Sequence, residues 1–200
     1  MKNFKLTIVF FLSIIYVTSA QQLKNIAKIG NLSEGLIAIK NDDSWGFIDI
    51  KGVLVINFRK DIATSSGEFP VFSNGLCLIK EIREDIIYYG FINTKGETII
   101  PAEYIVATPF KNGFSRVINY YKTDTGTNAF GQSVVYYTYN ELIIDTENKS
   151  VLNFSGSHNL LLHKLKLQKD IPTIRSKFIN DDLISIKEDN NTFSIYNLNK

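Results

Sequence analysis

Short apolar runs alternate with polar punctuation along most of this chain, and the order of the runs repeats. Leu36-Ile37-Ala38-Ile39 is followed by a polar turn at Asn41–Ser44, a second run from Trp45 to Asp49, another turn, and a third run from Val53 to Ile56. Runs of four or five apolar residues bounded by Asn, Asp, Ser and Gly predict strands, and three in succession predict an antiparallel meander. The same parts recur in the same order at Leu76–Ile79, Tyr89–Asn93 and Thr98–Pro101. A third copy starts at Phe114 and resumes at Leu142–Asp145 after an insertion, and a fourth reads Leu183–Ile186 and Phe193–Asn197. Gly35, Gly75 and Gly113 precede the first strand of three copies at spacings of 40 and 38, and Gly46–Gly52 returns 44 residues later as Gly90–Gly96. Spacing of this size marks a repeat array, in which each copy buries its apolar face by stacking on its neighbours. The predicted fold is all-β, with three-stranded antiparallel meanders stacked as a short solenoid or curved into a propeller-like ring.

The second turn of each copy carries the clearest local chemistry. Asp49-Ile50-Lys51-Gly52 places Asp at the first and Gly at the fourth position of a type I turn, Asn93 and Gly96 repeat the rule, and Asp145 and Asn148 vary it. Asp and Asn accept backbone N–H bonds across such a turn, and Gly or Asn tolerates the left-handed conformation. A metal ligand would not exchange freely with an amide, so these side chains are read as turn formers. The aromatics at the head of the middle strand, Trp45, Tyr89 and Phe193, are expected to plug the space between neighbouring repeats, with Gly46 and Gly90 beside them allowing close backbone approach.

Together, Trp45-Gly46-Phe47-Ile48-Asp49 with Lys51-Gly52, and Gly90-Phe91-Ile92-Asn93 with Lys95-Gly96, Pro101 and Tyr104, followed by Phe110 and Gly113, resemble the WG repeat family. The likeness runs from Leu32 to Ile118; the later copies lose the aromatic–glycine pair and most glycines, as degenerate capping copies would. The resemblance implies a β-rich, often exported bacterial protein used as a non-catalytic interaction scaffold.

The first twenty residues alter where the chain is expected to act. Lys2 and Lys5 precede an apolar run from Leu6 to Val17 and a small-residue site at Thr18-Ser19-Ala20, the pattern of an export signal. Twelve apolar residues fall short of the roughly 20 that span a bilayer, so no membrane span is expected after cleavage. Residues 21–200 then form one domain, with clear repeats over about 32–118 and degenerate ones over about 110–152 and 178–200. Of 22 Lys and Arg against 20 Asp and Glu, the leader removes two lysines and no acid, leaving a neutral mature chain. With its bases spread singly among acids, nucleic acid is not an expected partner. Cys77 has no second cysteine to pair with and reads as a packing residue.

Between the arms of the third copy lies the insertion Lys122–Gln132, read as an elongated hairpin. Its arms hold Tyr120, Tyr121, Tyr136, Tyr137 and Tyr139, and alternation sends them to both faces. These tyrosines are the candidate ligand-binding residues, since Tyr joins a rigid apolar body to a hydroxyl; mutual ring packing is the competing reading. No catalytic, metal or cofactor site is expected. The sequence shows no nucleophile elbow, phosphate loop or zinc spacing; His158 and His163 are not a helix-face pair. Glu81, Glu84 and Asp85 are the clustered acids off a repeat turn, placed where a hairpin end would be solvated. The function expected is an exported scaffold for an envelope protein, peptide or glycan; a structural envelope component without a small ligand ranks next, and a glycan hydrolase below it. Leu23–Ile29 is a candidate to complete the last meander, whose third strand is missing at Lys200; a chain that is itself a fragment is the other reading.

Overall fold

A computed structural model describes residues 23–64, 67–154, 158–160 and 171–198. The leader at 1–20, His163 and the side chain of Tyr136 lie outside what it describes. The strands are β1 (Lys28–Ser33), β2 (Leu36–Asn41), β3 (Ser44–Asp49), β4 (Leu54–Arg59), β5 (Leu76–Arg83), β6 (Ile86–Asn93), β7 (Thr98–Tyr104), β8 (Val106–Ala107), β9 (Phe114–Thr127), β10 (Ser133–Asp145), β11 (Ser150–Asn153), β12 (His158–Leu160), β13 (Ser176–Phe178), β14 (Leu183–Lys187) and β15 (Phe193–Asn197). They form four antiparallel sheets in chain order: β1-β2-β3-β4, β5-β6-β7, β8-β9-β10-β11 with β12 also on β10, and β13-β14-β15. The all-β repeat architecture is the one the apolar pattern predicts. Among the described residues no helix is long and apolar enough to cross a membrane.

The unit is larger than a three-stranded meander. The connection before each meander lays a short segment along its first strand, at the same register position every time: Ile29 opposite Ile39, Ile62 opposite Ile79, Ala107 opposite Val117, and Ser176 opposite Ile186. In the second sheet this segment is held by Ala63 N–H to Leu78 O (3.0 Å) and Lys80 N–H to Asp61 O (2.7 Å). The linkers were invisible as strands because a two- or three-residue edge segment has no periodicity to read. The segment Leu23–Ile29 accordingly does not complete the last meander; its end enters β1, which edges the first sheet by pairing with β2.

Successive sheets pack face to face. One core joins the first two sheets through Phe47, Ile56, Phe72, Cys77, Ile79 and Ile92, and the next joins the second and third through Leu78, Phe91, Ile100, Phe110, Val117 and Ile144. Neighbouring residues of β5 thus enter opposite cores, which is why Leu76–Ile79 is buried without interruption. Ile143, Phe154, Ile184 and Ile186 join the third sheet to the fourth. Among the described residues none of these cores joins the fourth sheet to the first. The plug is two positions further along than expected: Phe47 meets Phe72 and Phe91 meets Phe110, each pair edge to face with centroids 4.8 Å apart. Trp45 is buried on Phe69 and Tyr89 is half-buried against the second core. Phe193, expected to plug the fourth copy, is 65% exposed and does not. It points away from the side of β15 that Tyr196 turns toward the core.

A column of corners runs along the stack. Two-residue turns at Glu34-Gly35, Asn74-Gly75 and Asn112-Gly113 all have positive φ at both positions, which Asn and Gly accept most readily. Glu34 accepts from Gly75 N–H at 2.8 Å, Asn74 accepts from Gly113 N–H at 3.1 Å, and Asn112 donates to Asp181. Ser33 and Ser73 add parallel bonds to the carbonyls of Phe72 and Phe110, at 2.7 and 2.6 Å. Each corner therefore holds the next.

Candidate functional site

The turn acids do structural work. Asp49 Oδ1 accepts from Lys51 and Val53 N–H at 2.8 and 2.9 Å, Asn93 Oδ1 from Lys95 and Glu97 at 3.0 Å each, and Asp145 Oδ1 from Glu147 and Lys149 at 2.9 Å each. The fourth residue, Gly52, Gly96 or Asn148, takes φ of 79°, 83° or 65°. The tip of the insertion repeats this turn: Asn128 Oδ1 accepts from Phe130 and Gln132 at 2.9 and 3.0 Å, with Gly131 at φ 74°. The signal was present as Asn128-Ala129-Phe130-Gly131, hidden among other polar residues.

The aromatic–glycine pair marks a bulge. Tyr89 pairs with Tyr104 and Phe91 with Ile100, so β7 carries two more residues than β6 across that interval, and Pro101 lies in the excess. The edge strand arches over Gly90, whose position would put a Cβ 2.4 Å from Ile100 O and 2.6 Å from Pro101 C. Gly46 occupies the same place against β4, with less crowding at 3.0 Å from Ile56 O. In the third unit the position of Trp45 and Tyr89 is taken by Glu141, which is buried and accepts from Arg175 and Ser176 N–H at 2.8 and 3.0 Å. Here a carboxylate, rather than a ring, fastens the next unit.

Register divides the insertion tyrosines between two faces, as alternation predicts. Tyr120 stands opposite Tyr139 and Tyr137 opposite Lys122, while Tyr121 opposes Thr138 and Tyr136 opposes Thr123. The first face is occupied by packing within the protein. Tyr120 lies 5.9 Å from Tyr137 and 6.0 Å from Tyr88 between ring centroids, at interplanar angles of 31° and 35°. The Tyr88 hydroxyl donates to that of Tyr120 at 2.7 Å, and the Arg83 guanidinium covers the outer face of Tyr88 at 3.9 Å. Burial, followed by the Tyr120 hydrogen bond, raises the pKa of Tyr88, keeping its hydroxyl a donor. Tyr139 packs against the same cluster as Tyr120. Tyr88 and Arg83 belong to the second sheet and were missed because nothing in the sequence brings the β5–β6 hairpin beside the insertion.

What the hairpin presents outward is different. Tyr121 is 49% exposed, its hydroxyl fixed by Asn119 Nδ2 at 2.7 Å, and Phe130 is 88% exposed on the tip turn. The four tyrosines whose side chains are described therefore do not surround one concavity; Tyr120, Tyr137 and Tyr139 brace the hairpin and Tyr121 faces solvent.

No curated protein matches the chain. The family described as the WG containing repeat matches residues 89–122, which run from the aromatic–glycine pair of the second unit through the bulged edge strand and corner into β9. The matched stretch holds the Gly90 bulge, the Asn93 turn, the Phe91–Phe110 plug and the Asn112-Gly113 corner. The chain is a β-repeat protein whose residues 89–122 are similar to the WG containing repeat.

Proposed function

We propose that this chain is an exported, non-enzymatic interaction scaffold whose β9–β10 hairpin engages an envelope protein, peptide or glycan. The observation that carries the reading is Phe130, an aromatic 88% exposed and held on a hydrogen-bonded turn at the end of a hairpin braced by the tyrosine row. A large apolar side chain carried on a backbone already fixed by its turn adds little backbone ordering cost when a partner buries it, the property of an interface anchor. Tyr121 offers a second aromatic on the same hairpin. The exposed acids support a role without hydrolysis: Glu84 and Asp85 form the positive-φ turn of the β5–β6 hairpin, and Glu81 lies 3.7 Å from Arg83 at its surface.

Affinity capture from envelope extracts with residues 21–200 tests this. The wild-type chain should retain a partner that Phe130→Ala with Tyr121→Ala does not, at unchanged urea stability. Equal capture by both would remove the hairpin from the interaction.

A further inference from the structure

A cleft of about 620 Å³ is lined by residues of the second and third sheets and of the segment leading into the fourth, and its Ile105, Val106 and Ile174 also pack in the cluster of Tyr88 and Tyr120. Leu78, Ile105, Val106, Pro172 and Ile174 are among its apolar lining, and among the described residues Arg116 supplies the one charged side chain. The volume and the mix of apolar wall with few polar groups fit a small-ligand site.

Arg116 is out of place for a purely structural residue. Its Nη1 donates to Ser176 O at 2.6 Å and its guanidinium stands 5.4 Å from the Phe178 ring centre, while its buried Nε has no hydrogen-bond partner. No carboxylate forms an ion pair with it among the described residues. Glu141 is the carboxylate whose charge it feels, yet the oxygens of Glu141 are taken by the N–H groups of Arg175 and Ser176. Burial lowers the pKa of Arg116, so its charge is held in surroundings that disfavour it. With Nη1 on Ser176 O and Nε shut off from solvent, Nη2 is the guanidinium donor left for a ligand, and a carboxylate oxygen suits it.

We propose that the cleft binds an apolar ligand ending in a carboxylate, with Arg116 holding the carboxylate and Leu78, Ile105, Val106 and Pro172 receiving the chain. This reading does not rest on the one for the hairpin. The carboxylate can come from an aliphatic acid or from the C-terminus of an apolar peptide, and the two sources are separable.

Calorimetric titration of the full chain with octanoate, octan-1-ol, and an apolar pentapeptide with a free or amidated C-terminus tests the proposal. Octanoate or the free-acid peptide should bind at least tenfold more tightly than its uncharged counterpart, and the form that does so identifies the source. Arg116→Gln should erase that preference. Because Arg116 also holds Ser176, Thr64→Trp at the exposed mouth of the cleft provides a second variant, and it should block binding while leaving the Arg116 contacts in place. Equal affinity for charged and uncharged forms, binding by neither carboxylate, or unchanged binding in Thr64→Trp would overturn the assignment.

Discussion

Replacing Gly90 with Ala should be the most damaging single-methyl change among the repeat glycines. The added Cβ would sit 2.4 Å from Ile100 O, 2.6 Å from Pro101 C and 2.7 Å from Ala102 N, all backbone atoms that no rotamer change can move. Ordinary contact begins near 3.4 Å, so β7 must retreat by about 1 Å. Ile100, fully buried opposite Phe91, would be carried away from the core between the second and third sheets. Overpacking of this kind costs about 1–3 kcal/mol. Alanine returns about 0.4–1 kcal/mol by restricting the unfolded chain, since Gly90 does not have positive φ. The expected net loss is about 1–2 kcal/mol, which at a urea m-value of about 2 kcal/mol/M lowers the unfolding midpoint by about 0.5–1 M. Gly46→Ala, with 3.0 Å to Ile56 O and 3.3 Å to the Phe58 ring, should lose less, and Gly67→Ala, with its nearest contact at 3.8 Å, should lose nothing. Equilibrium urea unfolding followed by Trp45 fluorescence measures all three. If Gly90→Ala unfolds at the same midpoint as Gly67→Ala, the bulge does not explain the aromatic–glycine pair.

Other outcomes follow from the same geometry. Glu141→Ala strips the acceptor from two N–H groups and should cost about 3 kcal/mol by urea unfolding, whereas Glu141→Gln, which keeps an acceptor, should cost less; equal losses would mean the fastening role is wrong. Phe91→Ala should cost about 3–5 kcal/mol and Phe193→Ala under about 0.5, and a large effect at Phe193 would restore it as a plug. Burial, only partly opposed by Arg59, pushes the Cys77 thiol up to about 12, and Tyr88 and Tyr104 are likewise raised by burial. Each folded group keeps its proton at a pH where the unfolded one has lost it. Stability should therefore hold below about pH 8 and fall as pH rises past the ordinary thiol value of about 8.5, then past the tyrosine value of about 10. Thermal unfolding from pH 7 to 10.5 reads this, and Cys77→Ala should flatten the first part of the decline. Gly96→Val combines a φ of 83° with an added Cβ 3.2 Å from Ile56 Cγ2, so it should lose more than the 1–2 kcal/mol of the left-handed penalty alone; unchanged thermal unfolding would disprove the turn assignment.

Local chemistry was readable and long-range placement was not. The turns at Asp49, Asn93 and Asp145 follow from side chains that bond their own backbone within four residues, and the glycines that complete them have one steric reason to be there. Strand positions followed from apolar runs. The position of the plug was missed because Trp45 and Phe47 share one strand, as Tyr89 and Phe91 share another, and only the partner from the next unit, Phe72 or Phe110, decides which ring is central. The edge segments near Ile62 and Val106 escaped because each is too short to show a period and pairs with a strand that comes later in the chain. The insertion tyrosines were correctly divided between faces, but their brace comes from Tyr88 and Arg83 some thirty residues earlier, a contact made by stacking and not by spacing.

The corner bonds span 41 residues from Glu34 to Gly75, 39 from Asn74 to Gly113, and 69 from Asn112 to Asp181. Registry is thus conveyed by contact between tips rather than counted out along the chain. A protein assembled this way can lengthen its loops between two units without misaligning either one. It has in effect a reading frame that survives insertions, leaving the intervening segments free to diverge while the scaffold keeps its pitch.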